Sequence, residues 1–429
     1  MGSPMLVCAE ICDGLLAAPL VRLVRVYRLR STNAISHHRN PQSNVRLTVN
    51  GEMWALENAT AWPLVPPVKT YTTLLPGPRH QPFIFIDDGS ASNITIAGTG
   101  VIDGAGPYWW CVPGACPNYA VSRPHLVSLM NVTGVEITGV TLRNSAFWTL
   151  RPVFCTDVWI HDAFITTPWC GGDVKGGPGG PNTDGIDVDS CTNVVIERND
   201  ISVGDDHVTI LAGAGEPGRR FALPSRNVTV RDNILGTGMG LSVGSSVSGG
   251  VEDVLFTRNV MREREQDWGL GAHLKTRVDF GGYIRNIRYI DNVVRRRGWF
   301  AACMHDAWQP LMQLVCHSSR YGLPPDPLLT NKQFPLITNG AIEIETDYQS
   351  SGQCNATSCT EIRDIVFRNF TGNARGAGSL SCYPNRPCIN ITLDNVHINA
   401  TNGWGCRNVS SGTFTNVTPP GLATACGLP

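Results

Sequence analysis

The chain is built of short stretches in which apolar and polar residues alternate, each opened by Asn or Asp. They read "NITIAGTGVIDG" from Asn93, "NVTGVEITGVTLRNS" from Asn131, "NVVIERNDIS" from Asn193 and "NVTVRDNILGTG" from Asn227. "DVLFTRNVM" from Asp253, "NIRYIDNVV" from Asn286, "DIVFRNFTG" from Asp364 and "NITLDNVHIN" from Asn390 continue the series. Alternation of period two predicts half-buried strands, and the starts fall mostly 26 to 38 residues apart. So short a strand cannot bury its own apolar face, so copies must stack as a solenoid. A second series, "DGIDV", "HVTIL", "GLSVG", "AHLKT" and "AIEIE", begins at residues 184, 207, 240, 272 and 341. Two or three strands per turn of ~20 to 40 residues predict an all-β, single-domain right-handed parallel β-helix, with like strands ~4.8 Å apart in successive coils. A β-propeller would need a four-strand unit, and none recurs.

Composition supports strands and turns. The 429 residues include 45 glycines and few long Glu/Lys/Leu-rich periods. Lys plus Arg is 34 against 35 Asp plus Glu, a net charge of −1, which makes no case for nucleic acid or an acidic membrane surface as partner. The expected state is a monomer. Fifteen cysteines fall partly into close couples, Cys111 with Cys116, Cys354 with Cys359, Cys382 with Cys388 and Cys406 with Cys426, and no Cys-x-x-Cys occurs. Such couples predict disulfides in an oxidising compartment, with at least one thiol left free by the odd count. Ten Asn-x-Ser/Thr sequons, Asn58, Asn355, Asn399 and Asn408 among them, point to secretion or the cell wall, although Asn-Val-Thr also serves as a turn-into-strand unit.

The amino terminus differs from the rest. "MLVCAEICDGLLAAPLVRLVRVYRLRST" is apolar but interrupted by Glu10 and Asp13, a poor match to a secretory signal. Residues 1–44 therefore read as an atypical, incomplete or misassigned segment, and 45–429 as the β-helix. Cys303 to Gly340 carries no repeat register and reads as a long loop flanking the cleft.

The chemistry gathers in the second series. In "GDDHVTI", residues 204 to 210, two acids stand at the mouth of a strand. Aligning Ile186 and Val188 with Val208 and Ile210, and with Leu241 and Val243, places Asp184, Asp206 and Met239 in matching positions of consecutive coils, with Asp205 alongside. Strict alternation would turn the acids inward, so the chain must leave the regular strand there, and Gly185 and Gly204 permit it. Calcium would want about six to eight oxygens; glycoside hydrolysis wants one carboxyl to protonate the leaving oxygen and another to activate water or attack. Mutual repulsion helps keep one acid protonated. Asp187 and Asp189 share strand parity and read as solvated outward acids. His207 reads as a proton partner for Asp205 or, preferably, as a residue hydrogen-bonded to its neighbours.

"NTDGIDVDS" (182 to 190), "GDDHVTI", "GMGLSVGSSVSGGVEDV" (238 to 254) and "HLKTRVDFGGYIRNI" (273 to 287) together resemble the polygalacturonases, the pectin-hydrolysing family 28 of glycoside hydrolases. "VIDGAGPYWW", "SAFWTL" and "CYPNRPCINITLDNV" add to the resemblance, which runs from about residue 45 to the end. It implies inverting hydrolysis of α-1,4-galacturonide bonds in pectin or polygalacturonate, an acidic plant-type polysaccharide, without a metal or other cofactor. Asp205 aligns with the general acid, and Asp184 and Asp206 with the pair that activates water. An inverting site needs ~6.5 to 9.5 Å between acid and base. Asn182 would orient the group around Asp184, and Lys275 would meet a galacturonate carboxylate. The family's Gly-His-Gly reads Gly238-Met239-Gly240 and its Arg-Ile-Lys reads His273-Leu274-Lys275. His207, Met239 and His273 are therefore placed with Asn182 and Lys275 around the substrate, and Arg277 and Tyr283 are further subsite candidates. The alternatives are rhamnogalacturonan or xylogalacturonan cleavage, a lyase-like elimination, and a non-catalytic carbohydrate-binding relative.

Overall fold

A computed structural model of the protein describes residues 22–32, 35–37, 43–65, 79–87, 91–110, 122–167, 180–262, 271–295 and 340–428. Strands pair in parallel with strands one coil away, for example Thr192–Glu197 with Thr156–His161 before it and Ser225–Arg231 after it. Each coil contributes to three faces, and the chain is a parallel β-helix. The one antiparallel ladder among the described residues joins Leu64–Val65 to Arg79–His80. The stack extends to the amino-terminal side of residue 45, because Arg22–Thr32 pairs in parallel with Val45–Ala55, and Ile35–His37 with Ile84–Asp87.

The repeated Asn and Asp have a backbone cause. Asn44, Asn93, Asp157, Asn193, Asn227, Asp253, Asn286, Asp364 and Asn390 all have positive φ, between 52° and 60°. Short polar side chains tolerate this left-handed conformation better than others do. They also bond from coil to coil: Asn227 Nδ2 donates to Asn193 Oδ1 at 2.8 Å, and Asn193 Nδ2 to Asp157 Oδ1 at 2.9 Å. Asn93, Asn227 and Asn390 are sequon asparagines used this way. At the next corner a buried ladder runs Asn199, Asn233, Asn259, Asn292, each Nδ2 donating to the following Oδ1 at 3.0 Å. The ladder satisfies backbone carbonyls where the coil turns, groups that would be costly to bury unpaired.

Inside, the alternation becomes rows of like side chains. Ile96, Ile137, Ile160, Ile196 and Val230 lie in register and continue as Phe256, Tyr289 and Phe367. Rings of that last group stack at 4.4 and 5.1 Å. All are essentially buried, and each contributes roughly 1.5–3 kcal/mol of transfer free energy relative to exposure. A short helix, Leu422–Cys426, packs across the end of Ile389–Arg407 and is tied to it by Cys406–Cys426. Cys354–Cys359 and Cys382–Cys388 are also bridged, while Cys155 and Cys191 are buried thiols. Cys111, Cys116 and residues 303–339 of the expected cleft loop lie outside the described residues.

One face carries the chemistry. Its strands, here the site sheet, are Val127–Met130, Leu150–Val153, Ile186–Asp189, Val208–Leu211, Leu241–Val243, Ala272–Lys275 and Gly340–Glu345.

Candidate active site

Asp184, Asp205 and Asp206 sit just before two neighbouring strands of the site sheet, at its entry edge. Close approach of the coils fixes them there. A Cβ on Gly185 would lie 2.4 Å from the His207 carbonyl oxygen, and one on Gly204 2.3 Å from that of Gly180. These two glycines give clearance, and neither has the positive φ that would also require glycine. Backbone bonds complete the clamp: Gly185 N–H donates to Asp206 O and Met239 N–H to Asp205 O, both at 2.8 Å. Thr183 Oγ1 donates to Gly180 O at 2.6 Å and accepts from Gly204 N–H at 3.1 Å.

The acids converge, with an oxygen of each within 4.8 Å of the others. Asp184 and Asp206 are buried and Asp205 half-buried. The spacing is shorter than the ~6.5 to 9.5 Å expected of an inverting pair. Three carboxylates face one ammonium: Lys275 Nζ donates to Asp206 Oδ2 at 2.6 Å. Ser242 Oγ donates to Asp206 Oδ1 at 2.7 Å, so both Asp206 oxygens are engaged. Asp205 Oδ1 accepts from the Asp206 N–H at 2.9 Å, and Asn182 Nδ2 lies 3.5 Å from its Oδ2. Asp184 Oδ1 is buried without a hydrogen bond.

Protonation follows from this unequal treatment. Burial, then the Asp206 charge, pushes Asp205 up to about 6. Burial, then repulsion from Asp205, Asp187 and Asp206, drives Asp184 well above the usual carboxylate range. Burial works against the Lys275 ammonium, but Asp206, Tyr348 and Asp205 together outweigh it and hold that lysine above its ordinary value. The cluster thus retains a proton at mildly acidic pH that solvated carboxylates would lose. As a metal centre it is poor, because Lys275 and Ser242 already take both Asp206 oxygens, leaving too few for the about six to eight that calcium takes.

Asn182 is fixed by Arg123, whose Nη2 donates to its Oδ1 at 2.9 Å, and it leans on Asp205, not Asp184. Met239 lies half-exposed at the mouth, in the coil after Asp206. His273 is buried, 3.6 Å from Glu345 Oε2, and burial outweighs that glutamate to lower its pKa. Lys275 is committed to Asp206, not left free for a ligand carboxylate. His207 needs correction as a residue facing substrate: its Nδ1 accepts from Gly240 N–H at 3.0 Å and its Nε2 donates to Gly236 O at 3.1 Å. Burial lowers it to about 4, so it is a neutral brace between coils.

Tyr283 also lies elsewhere, its ring against Gly250 with Arg285 stacked 4.3 Å above it. Arg277 stacks on Phe280. Asp187 and Asp189 are not solvated. Asp189 pairs with Arg151 at 2.9 Å, and Asp187 is fully buried with neither oxygen hydrogen-bonded, which raises its pKa and adds to the repulsion on Asp184. Ser242, Arg123 and Tyr348 escaped the sequence reading. The Tyr348 ring lies 4.9 Å from Lys275 Nζ and meets His273 edge-on, and burial pushes its hydroxyl up to about 12. Ser242 was legible as an outward position of "GLSVG"; nothing local marked Tyr348.

Comparison with known proteins agrees with this architecture. The chain is 28% identical over 379 residues to a probable polygalacturonase of Vitis vinifera, covering 86% of this chain and 66% of the relative. It is 26% identical over 328 residues to a polygalacturonase of Cryptomeria japonica, covering 75% of this chain and 52% of the relative. The chain thus spans between about half and two thirds of the length of these curated relatives. Among solved structures, the polygalacturonase of Erwinia carotovora superposes with a TM-score of 0.62 at 20% identity, covering 90% of this chain and 89% of that one, a likeness of fold. The family model described as glycosyl hydrolases family 28 matches residues 69–296 and 330–416, and the chain belongs to that family.

Proposed function

We propose that the protein hydrolyses α-1,4-galacturonosyl bonds of pectin or polygalacturonate outside the cell. The observation that carries the reading is the cluster of three acids on one ammonium, with Asp205 shifted to about 6 and Asp206 held on both oxygens. Asp205 would give its proton to the glycosidic oxygen as the C1–O bond breaks. Water held against Asp184 and Asp206 would attack C1 and lose its proton to Asp206, which bonds the Lys275 ammonium. The reaction consumes one water and needs no redox partner. Asp206 is poorly placed as a nucleophile because Ser242 and Lys275 already engage its oxygens; this, with the family resemblance, favours inversion despite the short spacing. The disulfides fit an oxidising compartment.

Reducing-end release by the purified protein from polygalacturonate, rhamnogalacturonan and xylogalacturonan, beside Asp205→Asn, tests the reading. Release from polygalacturonate that falls at least ~10²-fold in the variant is expected. Release confined to another polymer would replace the substrate; no release from any by a folded protein would leave a binding protein.

A further inference from the structure

A second set of charges lies along the same edge of the site sheet, amino-terminal to the acids. Phe147 and Trp148 precede the strand Leu150–Val153, one coil before Asp184. Arg123 and His125 precede Val127–Met130, two coils before, and Arg79 precedes Ile84–Asp87, three coils before. At ~4.8 Å per coil, the set runs roughly 5 to 15 Å from the catalytic carboxylates.

These side chains form one cluster. Phe147 and Trp148 stack at 5.3 Å, and His125 packs on both at 5.2 and 5.3 Å. The guanidinium carbons of Arg79 and Arg123 lie 5.4 and 4.9 Å from the Phe147 ring centre, and that of Arg151 5.3 Å from Trp148. Arg123, whose Nη1 donates to the carbonyls of Ala146 and Pro181, and Arg151 are buried, and Arg79 is partly so. Asp189 answers Arg151. Arg79 Nη2 and His125 Nδ1 are buried without a hydrogen bond. Burial, then the charges of Arg151 and Arg123, lowers Arg79 to about 10. Burying like charges is costly unless an anion joins them, and the guanidinium fork suits a carboxylate.

We propose that Arg79, flanked by Arg123 and Arg151 around Phe147, forms an anion subsite whose unpartnered guanidinium takes the carboxylate of a uronate residue lying upstream of the bond to be cut. The inference rests on the acidic-polysaccharide reading and adds the direction in which the chain lies. Half-exposed Trp148 supplies an apolar wall for the sugar ring, and Arg123 links the subsite to the acids through Asn182.

The test is steady-state kinetics of Arg79→Gln and Arg79→Lys on polygalacturonate and on its fully methyl-esterified form, with thermal melting to confirm folding. Arg79→Gln is expected to raise KM at least ~10-fold on the free acid with kcat within ~3-fold, to leave the ester unaffected, and to be partly rescued by Arg79→Lys. An unchanged KM on the free acid, or an equal rise on acid and ester, overturns the proposal. If the wild type releases no reducing ends, the hydrolase reading fails separately, and trigalacturonate binding followed by tryptophan fluorescence decides the subsite. Binding lost in Arg79→Gln supports it; equal binding, or none to the wild type, overturns it.

Discussion

Lys275 reaches across two coils to bond Asp206 at 2.6 Å, and both side chains are almost wholly buried. The pair makes a three-carboxylate cluster tolerable, because it supplies the ammonium against which Asp184, Asp205 and Asp206 can be held together. Lys275→Met leaves Asp206 buried without its cation. Breaking a buried pair from one side costs ~3–5 kcal/mol, so denaturant unfolding should show a loss of that order, with at least ~10²-fold lower kcat in the protein that remains folded. A variant with wild-type stability and turnover would remove Lys275 from the account.

The shift of Asp205 to about 6 sets a pH profile. A general acid works while protonated, so kcat should fall as pH rises through about 6. The same raised carboxyl binds its proton more tightly folded than unfolded, so it favours folding most at low pH and loses that contribution as pH rises. A kcat flat from pH 5 to 8 in polygalacturonate hydrolysis would contradict the assignment.

His207 predicts the opposite trend for stability. Held near 4 in the fold against an ordinary 6.5, it stays neutral where the unfolded chain takes up a proton. Its contribution is full above pH 6.5 and is lost as pH falls toward 4, by ~2 kcal/mol between pH 7 and 5. The gap in unfolding free energy between wild type and His207→Gln should shrink by about that amount over this interval. A gap independent of pH would show that the ring is not braced as described.

The buried asparagine ladder should be stiff to substitution. Asn259 donates to Val230 O and Asn292 Oδ1, and accepts from both the backbone and the side chain of Asn233. Asn259→Ala strands several buried groups, each worth ~1–3 kcal/mol when unpaired, and a loss of at least about 2 kcal/mol is expected in urea unfolding. Asn193→Ala, on the exposed ladder, should be milder there, its main cost being the left-handed φ of 58°.

Most of the helix was legible because its signal is written once per coil: an Asn or Asp at positive φ followed by alternating apolar residues. The coil opened by Asp157 was missed, since "DVWIHDAF" interrupts the alternation with Trp159 and His161, which stack on the outer surface. The coil opened by Asn44 was missed because that residue stands 49 positions before Asn93, outside the usual spacing. The acids were found by register, whereas Lys275 came only from the family resemblance. Side-chain reach was not legible. Nothing in "HLKT" says that the ammonium turns back to Asp206, and nothing in "GDDHV" says that both His207 nitrogens meet backbone. Asp187 and Asp189 looked solvated by parity, but Arg151 and the neighbouring coils cover them.

The most direct measurement is ¹H NMR of polygalacturonate with the wild-type protein and with Asp205→Asn. The account predicts new reducing ends from the wild type that appear first as the β anomer, no olefinic signal from an unsaturated unit, and almost no change with the variant. Olefinic product, α anomer formed first, or undiminished turnover by Asp205→Asn would contradict it.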